Sequence, residues 1–595
     1  MHERTQQKGY RDHSDRAVVQ MLMNVFPARF AMYALNSFLS AVNGVVISRT
    51  QPLRALSAMA LCAPVTYFRT VLQTTIATGM VILCGHKVGR GQKDGIGSAV
   101  ATSLAMAVAV GAVAMAAVLG FRVPIARLLG ANDELLPYTV EYLSGMAVGL
   151  LPEMLIPVFV NIIQMNGSQS DVIKTVIVRI ALTLTAVWIV AFPLDGGLFQ
   201  IAAAGAVVSA MLVIFLCFRF RDRTAHRVRL IKESGLSCAA EIVSLGFPAA
   251  AVSLMTGLRD VFLNNAIVST GGAEAAAAMG VLSTVWFLID AVVYGFGRAV
   301  GQLASISYGE QDADNLQSLF RAAVKYGLIL TAAVGLLYGV LIRPVASLLT
   351  DDPIVIGYAV ELVRIYAVGR LAVTALVIFI NLYQSCKKTL AVYICNVCAF
   401  FAFPILETLW LKNSIGVTAV WLSYTLCPLA MLLLLPLMCA LLKGGFPKSL
   451  SELFLLNDIR DGVRINRLIS SREDAVGLSA ELMSAFRQNG LSSRKSYLCA
   501  LCIEETVINI LDSALFCTAD AQKQAVDVRV CIKDDTVAIR FRDNAPGFDP
   551  VAQAAVYNAA PDDTVKNIGY RIVSGLAREM SYSRIYDMNI LRIEL

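Results

Sequence analysis

The sequence has 595 residues, of which 57% are hydrophobic and only 16% are charged, and its mean hydropathy is +0.65. Water-soluble proteins of this length carry far more charge, so water cannot be the main solvent of this chain. The net charge of +7 comes from residues 1–442, as expected if basic residues flank membrane spans, and nucleic acid is not needed as a partner.

The proportion of charged residues changes near Lys443. Residues 1–442 hold 54 charged side chains and residues 443–595 hold 39, which is about 12% against 25%. This change predicts a membrane part followed by a linker at residues 443–463 and a soluble domain at residues 464–595.

The polar segment at residues 1–20 carries four basic residues and no cleavable signal. We therefore expect a cytoplasmic N-terminal tail in a multi-pass protein of the plasma (inner) membrane of a bacterium. An even number of spans would place the C-terminus in the cytoplasm as well.

Twelve apolar segments are long enough to cross a hydrocarbon core of about 30 Å. They are expected near residues 26–48, 55–84, 97–121, 135–164, 172–192, 197–218, 244–268, 276–304, 318–341, 354–385, 390–411 and 415–442. A basic linker at residues 219–241 separates a first six-helix bundle, residues 21–218, from a second, residues 242–442. The predicted fold is thus an all-α polytopic membrane protein with a soluble domain attached.

An internal repeat supports the two bundles. At an offset of 220 residues, the segment that begins at Pro124 matches the segment that begins at Pro344. The same offset pairs Phe159, Asn161 and Gln164 with Phe379, Asn381 and Gln384, and Gly89 with Gly309. Because 220 residues span six helices, both halves enter the membrane in the same orientation, and an axis along the membrane normal relates them. A cleft between two such bundles is a transporter architecture.

Several ionisable residues lie inside predicted spans, where a charge costs at least about 2.5–3.5 kcal/mol. Asp260 and Asp290 are the most central acids and are candidates for ion coupling or substrate binding, the alternative being an internal ion pair with an arginine. Asn264 lies one helical turn after Asp260. Glu153 is a further candidate, because neighbouring prolines would free backbone carbonyls toward a cavity.

The membrane part resembles the multidrug and toxic compound extrusion (MATE) family. The resemblance covers residues 20–442 and rests on GHKVGRGQKD after the second span, its counterpart SYGEQDADNL after the eighth, and LNNAIVSTGGAEAAAAMGV between the seventh and eighth spans. It implies antiport, in which entering sodium ions or protons drive the export of drug-like or toxic organic molecules, often cations.

The sequence departs from this family at one position. Many members carry an acidic residue late in the first helix, and Asn43 occupies the matching place in AVNGVV. An amide cannot exchange a proton, although its oxygen can bind sodium. Coupling through another carboxylate, Asp260 or Asp290, is therefore expected.

The C-terminal segment has the pattern of an α/β two-layer sandwich. Strands are predicted at RINRLIS, VDVRVCIK, TVAIRFRD and NILRIEL, and amphipathic helices at REDAVGLSAELMSAFRQNG, SSRKSYLCALCIEETVINILDSAL and GYRIVSGLAREM. Antiparallel strands with helices on one face give the two layers.

Three motifs of this segment resemble the histidine-kinase-like ATPase superfamily, in its anti-sigma-factor serine kinase branch: EETVIN, DNAPGFDP and NIGYRIV. The resemblance implies a site for ATP and Mg²⁺. In it, Asn509 would bind the metal and Glu505 would act as general base, while Asp543 and Gly547 would bind adenine and Gly569 would open a phosphate-binding helix.

Three interpretations remain open. The first is an antiporter regulated by an ATP-binding or serine-kinase-like domain. The second is a signalling protein whose membrane part senses a ligand and whose C-terminal domain binds or phosphorylates an anti-sigma-antagonist-type partner. The third is a lipid-linked sugar flippase of the same transporter superfamily. The sequence has no Walker-type phosphate loop, which disfavours an ATP-driven pump.

Overall fold

The computed structural model of the protein describes residues 2–50, 58–59, 61–129, 131, 133–166, 169–224, 235–456, 463–512, 526–533, 536–543, 549–553, 573–585 and 588–595. Within these ranges, twelve helical spans are long and apolar enough to cross a membrane, which is the number that the sequence predicts.

Fourteen helices in the described ranges form the membrane part. In chain order they are α1 (His2–Thr50), α2 (Ala63–Gly89), α3 (Lys93–Gly120), the short α4 (Arg122–Leu128), α5 (Leu136–Met165), α6 (Gln169–Ala191), α7 (Leu198–Thr224), α8 (Gly235–Val285), α9 (Phe287–Gly309), α10 (Ala313–Leu349), α11 (Pro353–Ser385), α12 (Thr389–Val397), α13 (Phe403–Ile415) and α14 (Thr418–Lys443). Helices α12 and α13 are joined by a π-helical turn at Cys398–Ala402 and count as one span.

Two helices differ from the boundaries that the sequence predicts. Residues 2–20, expected as a tail, continue directly into the first span as part of α1. Helix α8 bends at Gly272, whose φ of +67° favours glycine, and it includes the start of the predicted eighth span, so that α9 begins only at Phe287.

Helices α2 and α9 occupy equivalent places in the 220-residue repeat and pack against each other. Three pairs of equivalent residues are in contact: Thr78 with Arg298, Gly85 with Ser305, and Gly89 with Gly309. Two equivalent residues can meet only near the axis that relates them, so the pseudo-twofold axis runs between α2 and α9. The contacts agree with the axis that the repeat predicts.

The C-terminal domain contains a five-stranded antiparallel sheet. Its strands are β1 (Val463–Ile469), β2 (Val526–Lys533), β3 (Thr536–Asp543), β4 (Glu579–Ile585) and β5 (Met588–Glu594), in the order β1-β2-β3-β5-β4. The short helix α15 (Leu450–Leu453) precedes the sheet, and α16 (Arg472–Gln488) and α17 (Ser493–Asp512) follow β1.

The two faces of this sheet differ because side chains alternate along a strand. Val528, Ile539 and Phe541 lie on one face and share an apolar core with Phe486 of α16 and Ile503 of α17. The next positions along β2 and β3 point the other way and carry charged side chains that are nonetheless buried: Asp527, Arg529, Arg540 and Arg542.

The charged face of the sheet contacts the membrane part at the loop between α9 and α10. Arg540 forms ion pairs with Glu310 at 2.5 Å and with Asp312 at 3.0 Å. Arg529 also pairs with Asp312 and donates to the carbonyl oxygen of Gln311 at 3.4 Å. We call residues 310–312 the second axis loop.

The same face contacts the equivalent loop between α2 and α3, residues 90–92, which we call the first axis loop. Arg592 of β5 donates to the carbonyl oxygen of Gly89 at 3.3 Å, just before that loop. A Cβ atom on Gly91 would lie 2.5 Å from Oγ of Ser581 in β4. One sheet therefore bridges the two repeat-related loops, and we call this side of the membrane part the domain face.

Gly309→Ala tests the close approach of the two halves. A Cβ at Gly309 would lie 2.5 Å from the carbonyl oxygen of His86 and 3.1 Å from Cα of Gly89. We expect a loss of about 1–3 kcal/mol and a lower unfolding temperature in detergent. Gly120→Ala, at the end of α3 with open space around it, is the matched control. Equal unfolding temperatures for the two variants would contradict the packing described here.

Candidate functional site

A cavity of about 820 Å³ lies in the first half of the membrane part. Residues from α1, α2, α5, α6 and α7 form most of its wall, and residues from α9 and α11 of the second half close one side. Its volume falls within the range of about 300–1,000 Å³ that is usual for small-molecule sites.

Polar side chains form a network at the junction of the two halves. Arg29 donates to the amide oxygens of Asn161 at 2.8 Å and Gln302 at 3.2 Å, and Gln302 donates to Gln164 at 3.0 Å. Asn161 and Gln164 belong to the repeat that the sequence reveals, and their equivalents Asn381 and Gln384 line the same cavity. The repeat thus places four amides at the interface between the halves.

Glu153 lines the cavity and pairs with Arg69 of α2. The carbonyl oxygen of Glu153 would ordinarily accept a hydrogen bond from residue 157, but Pro157 has no N–H. This freed carbonyl accepts a hydrogen bond from Nε2 of Gln73 at 2.6 Å. Pro157 therefore frees one backbone carbonyl, as the sequence predicts, and Gln73 binds it.

Asp290 lies apart from the cavity lining, in a cluster of the second half. Its two carboxylate oxygens each accept a hydrogen bond of 3.0 Å from the hydroxyl of Tyr366, and Nε of Arg370 lies 3.3 Å from one of them. The Arg370 guanidinium also stacks over the Tyr366 ring, 3.8 Å from its centroid. The arrangement is the internal ion pair that the sequence leaves open as an alternative.

Asp260 is paired with its neighbour Arg259 at 2.6 Å, and its side chain is 34% exposed, against 24% for Asp290. Asn264 is exposed and forms no side-chain hydrogen bond with the described residues. The structure therefore does not bring Asp260 and Asn264 into one polar site. Asn43 belongs to α1, but its side chain lies outside the described residues.

In the C-terminal domain, Glu505 and Asn509 lie one turn apart on α17, and Nδ2 of Asn509 is buried without an acceptor among the described residues. Asp543 ends β3 on the same face of the sheet as Phe541 and is buried. Its carboxylate accepts a hydrogen bond of 2.7 Å from Asn589 of β5. Gly547 and Gly569 lie outside the described residues, so the two glycine loops of the predicted nucleotide site carry no structural description.

The MatE family model matches residues 28–189 and 248–407, once in each half and over more than half of the chain in total. The chain belongs to the MatE family. A curated relative, "Probable multidrug resistance protein YoeA" of Bacillus subtilis (strain 168), is 22% identical over 333 residues, which cover 53% of this chain and 70% of that protein.

Solved structures agree with the MatE fold. "Crystal structure of MATE in complex with MaD3S" is 17% identical, with a TM-score of 0.66, and the match covers 70% of this chain and 94% of that one. "Reverse polarity of binding pocket suggests different function of a MOP superfamily transporter from Pyrococcus furiosus Vc1 (DSM3638)" is 15% identical, with a TM-score of 0.65 and the same coverage. The predicted family of the membrane part is confirmed, and at these identities the structures support the fold alone.

Three arginines of the cavity lining of this MatE protein are missed by sequence reasoning: Arg29, Arg69 and Arg179. Each lies inside a predicted span, where arginine is rare and expected to face a cavity or a partner. The presence of arginine inside a span is visible in the sequence, but hydropathy does not indicate which spans line the same cavity.

The Asp290–Arg370 pair yields a stability prediction. Asp290→Asn leaves the Arg370 guanidinium buried beside a neutral amide, so we expect the free energy of unfolding to fall by about 3–5 kcal/mol. Combining Asp290→Asn with Arg370→Met should recover most of the loss, as measured by thermal unfolding in detergent. Asp171→Asn is the control, because its partner Arg219 is 40% exposed against 9% for Arg370, and a loss there as large as at Asp290 would contradict the burial argument.

Proposed function

We propose that this MatE protein is a secondary antiporter that exports organic small molecules in exchange for sodium ions or protons. The observation that carries the proposal is the drug-sized cavity at the junction of two repeat-related halves. Membership of the MatE family and the similarity to a probable multidrug resistance protein support export as the direction of transport. The proposed location is the plasma membrane of a bacterium, with both termini and the domain face on the cytoplasmic side.

Asp290 is the proposed coupling residue. Its carboxylate is held by one cation, Arg370, and by the hydroxyl of Tyr366. A sodium ion or a proton that reaches this carboxylate competes with Arg370 for it, and releasing the guanidinium changes the contacts between α9 and α11. Asn43, at the position where the family resemblance implies an acid in many members, cannot exchange a proton.

Gradient-driven efflux from vesicles tests this role. We expect Asp290→Asn to abolish the dependence of efflux on the coupling gradient, whereas Asp260→Asn retains it. An imposed sodium gradient and an imposed pH gradient, applied separately, identify the ion. Full gradient-driven efflux in Asp290→Asn would exclude Asp290 from coupling.

The C-terminal domain is proposed to be a two-layer histidine-kinase-like domain that binds ATP with Mg²⁺. Asn509 would bind the metal through its amide oxygen, since its Nδ2 is buried and has no acceptor among the described residues, and Asp543 offers a buried carboxylate on the helix-bearing face of the sheet. Glu505 would act as general base if the domain transfers phosphate, which makes serine-kinase activity a part of the same proposal.

Nucleotide binding to the full-length protein tests the site. A fluorescent ATP analogue with Mg²⁺ should bind, and Asp543→Ala should weaken binding at least about tenfold, because a hydrogen bond to a charged group is worth about 1.5–3 kcal/mol. Asp512→Ala, at an exposed ion pair with Arg472 in the same domain, is the control. If both variants bind equally well, Asp543 does not recognise the nucleotide. If the unchanged protein transfers labelled phosphate from ATP and Glu505→Ala does not, the domain is a kinase. If neither protein transfers phosphate, the domain is a binding module.

The partner of this domain is proposed to be the transporter itself. The charged face of the sheet is covered by the two axis loops, one from each half. Alternating access requires the halves to separate on each side of the membrane in turn. A domain attached to both loops opposes separation on the domain face and can thereby regulate transport. This contact favours regulation over the signalling alternative, in which an anti-sigma-antagonist-type protein would be the partner.

Loop variants test the regulation. Glu310→Gln with Asp312→Asn removes both charges that Arg540 and Arg529 bind, while the asparagine side chain still caps α10, as Asp312 does. We expect efflux to become several-fold faster and independent of added nucleotide. Arg472→Ala, at an exposed ion pair away from the loops, should leave efflux unchanged. Unchanged or slower efflux in the loop variant would contradict an inhibitory bridge.

A further inference from the structure

We propose that the cavity of the first half selects amphipathic organic anions, such as carboxylates, sulfonates or phosphates, rather than the organic cations that the family resemblance implies. The inference rests on the proposed function, since it takes the cavity as the substrate site. It specifies the chemical class of substrate from the charges and the apolar surface of the lining.

The described lining is strongly basic. It contains four arginines, Arg29, Arg69, Arg179 and Arg298, and a single carboxylate, Glu153. Glu153 is already paired with Arg69, so it is not free to hold a cationic substrate. Four arginines and one glutamate give the described lining a net charge of +3.

Arg298 and Arg179 face the cavity without a carboxylate partner among the described residues. Arg298 donates only to hydroxyl groups, to Tyr33 at 3.2 Å and to Thr78 at 2.8 Å. Arg179 forms neither an ion pair nor a side-chain hydrogen bond in the described part of the chain, and its Nε is buried. An Nε–H group that is buried without an acceptor is costly, and an anionic ligand in the cavity would compensate the charge of both side chains.

Among the described residues of the first half, no acid other than Glu153 lines the cavity. Residues 17–89, which include the first span, Val18–Leu39, and all of α2, contain no aspartate or glutamate. The segment of residues 51–62 between α1 and α2 therefore adds no acid. On the other walls, Asp171 pairs with Arg219 at 2.8 Å, and Glu141 accepts a hydrogen bond from the backbone N–H of Phe199.

About half of the remaining lining residues are apolar, and their side chains can hold the body of an amphipathic ligand. Met32, Met146, Ile156, Val187 and Ile201 contribute hydrophobic surface to the same cavity. Guanidinium groups bind carboxylate and phosphate oxygens through paired N–H donors, which fixes the charged end of such a ligand. The headgroup of an anionic lipid offers the same chemistry as a free organic anion.

A matched pair of dyes tests the charge selectivity. Fluorescein, an anion, and rhodamine 6G, a cation, share the xanthene ring system and carry opposite charges. We expect full-length protein in nanodiscs of zwitterionic lipid to bind fluorescein at least about tenfold more tightly than rhodamine 6G. Tighter binding of rhodamine 6G, or equal binding of the two dyes, would overturn the inference.

Arginine variants locate the binding site. Arg179→Gln and Arg298→Gln should each weaken fluorescein binding at least about tenfold, and Arg179→Gln should not lower the unfolding temperature, because Arg179 has no described partner to lose. The control is Arg364→Gln, whose guanidinium contacts the carbonyl oxygen of Gly339 away from the cavity. Fluorescein binding that is unchanged in both cavity variants would overturn the inference.

Phosphatidylglycerol distinguishes a lipid headgroup from a free anion. Competition of this lipid with fluorescein, lost in Arg179→Gln, would identify the headgroup as a ligand of the same site. If neither fluorescein nor phosphatidylglycerol binds, anion selectivity is wrong. If an ion gradient drives export of rhodamine 6G but not of fluorescein, the proposed export function stands and the proposed substrate class is wrong. If fluorescein binds but no ion gradient drives its export, the proposed export function is wrong and the substrate class of the site stands.

Discussion

The packing of α2 against α9 is the contact on which the rest of the structure depends. Along this contact, residues related by the 220-residue repeat meet one another, and glycines at Gly85, Gly89 and Gly309 allow the two helices to approach closely. The contact closes the membrane part at the domain face. It also fixes where the other features lie. The cavity is lined by residues of both helices, and each axis loop follows the last residue of one of them.

The charged face of the C-terminal sheet contacts two symmetry-related loops, although the sheet itself has no such symmetry. A single sheet contacts both axis loops, although different strands do so: β2 and β3 at the second loop, and β4 and β5 at the first. Buried ion pairs such as Arg540 with Glu310 and Asp312 contribute little net stability, since desolvation offsets their attraction, but they specify one docking geometry.

Much of this organisation could be predicted from the sequence. The twelve spans follow from hydropathy, and the repeat places Asn161 and Asn381 at equivalent positions, both of which line the cavity. The sequence does not identify the partners of Asp290, because Arg370 and Tyr366 lie about 80 residues away and several other spans also contain arginines. Docking of the sheet was also unpredictable, since Arg540 and Glu310 are 230 residues apart and period-two alternation alone indicates a solvated face. The basic character of the cavity needed the fold, because its four arginines come from four helices.

The central claim is that the C-terminal domain holds the two halves together at the domain face. Its most direct test is the distance between spin-labelled amino acids introduced at positions 90 and 314, on the two sides of the axis, measured by pulsed electron paramagnetic resonance in nanodiscs. The account predicts one short distance in the otherwise unchanged protein and an added, longer population when Glu310→Gln and Asp312→Asn remove the loop charges. The same single distance in both proteins would contradict it.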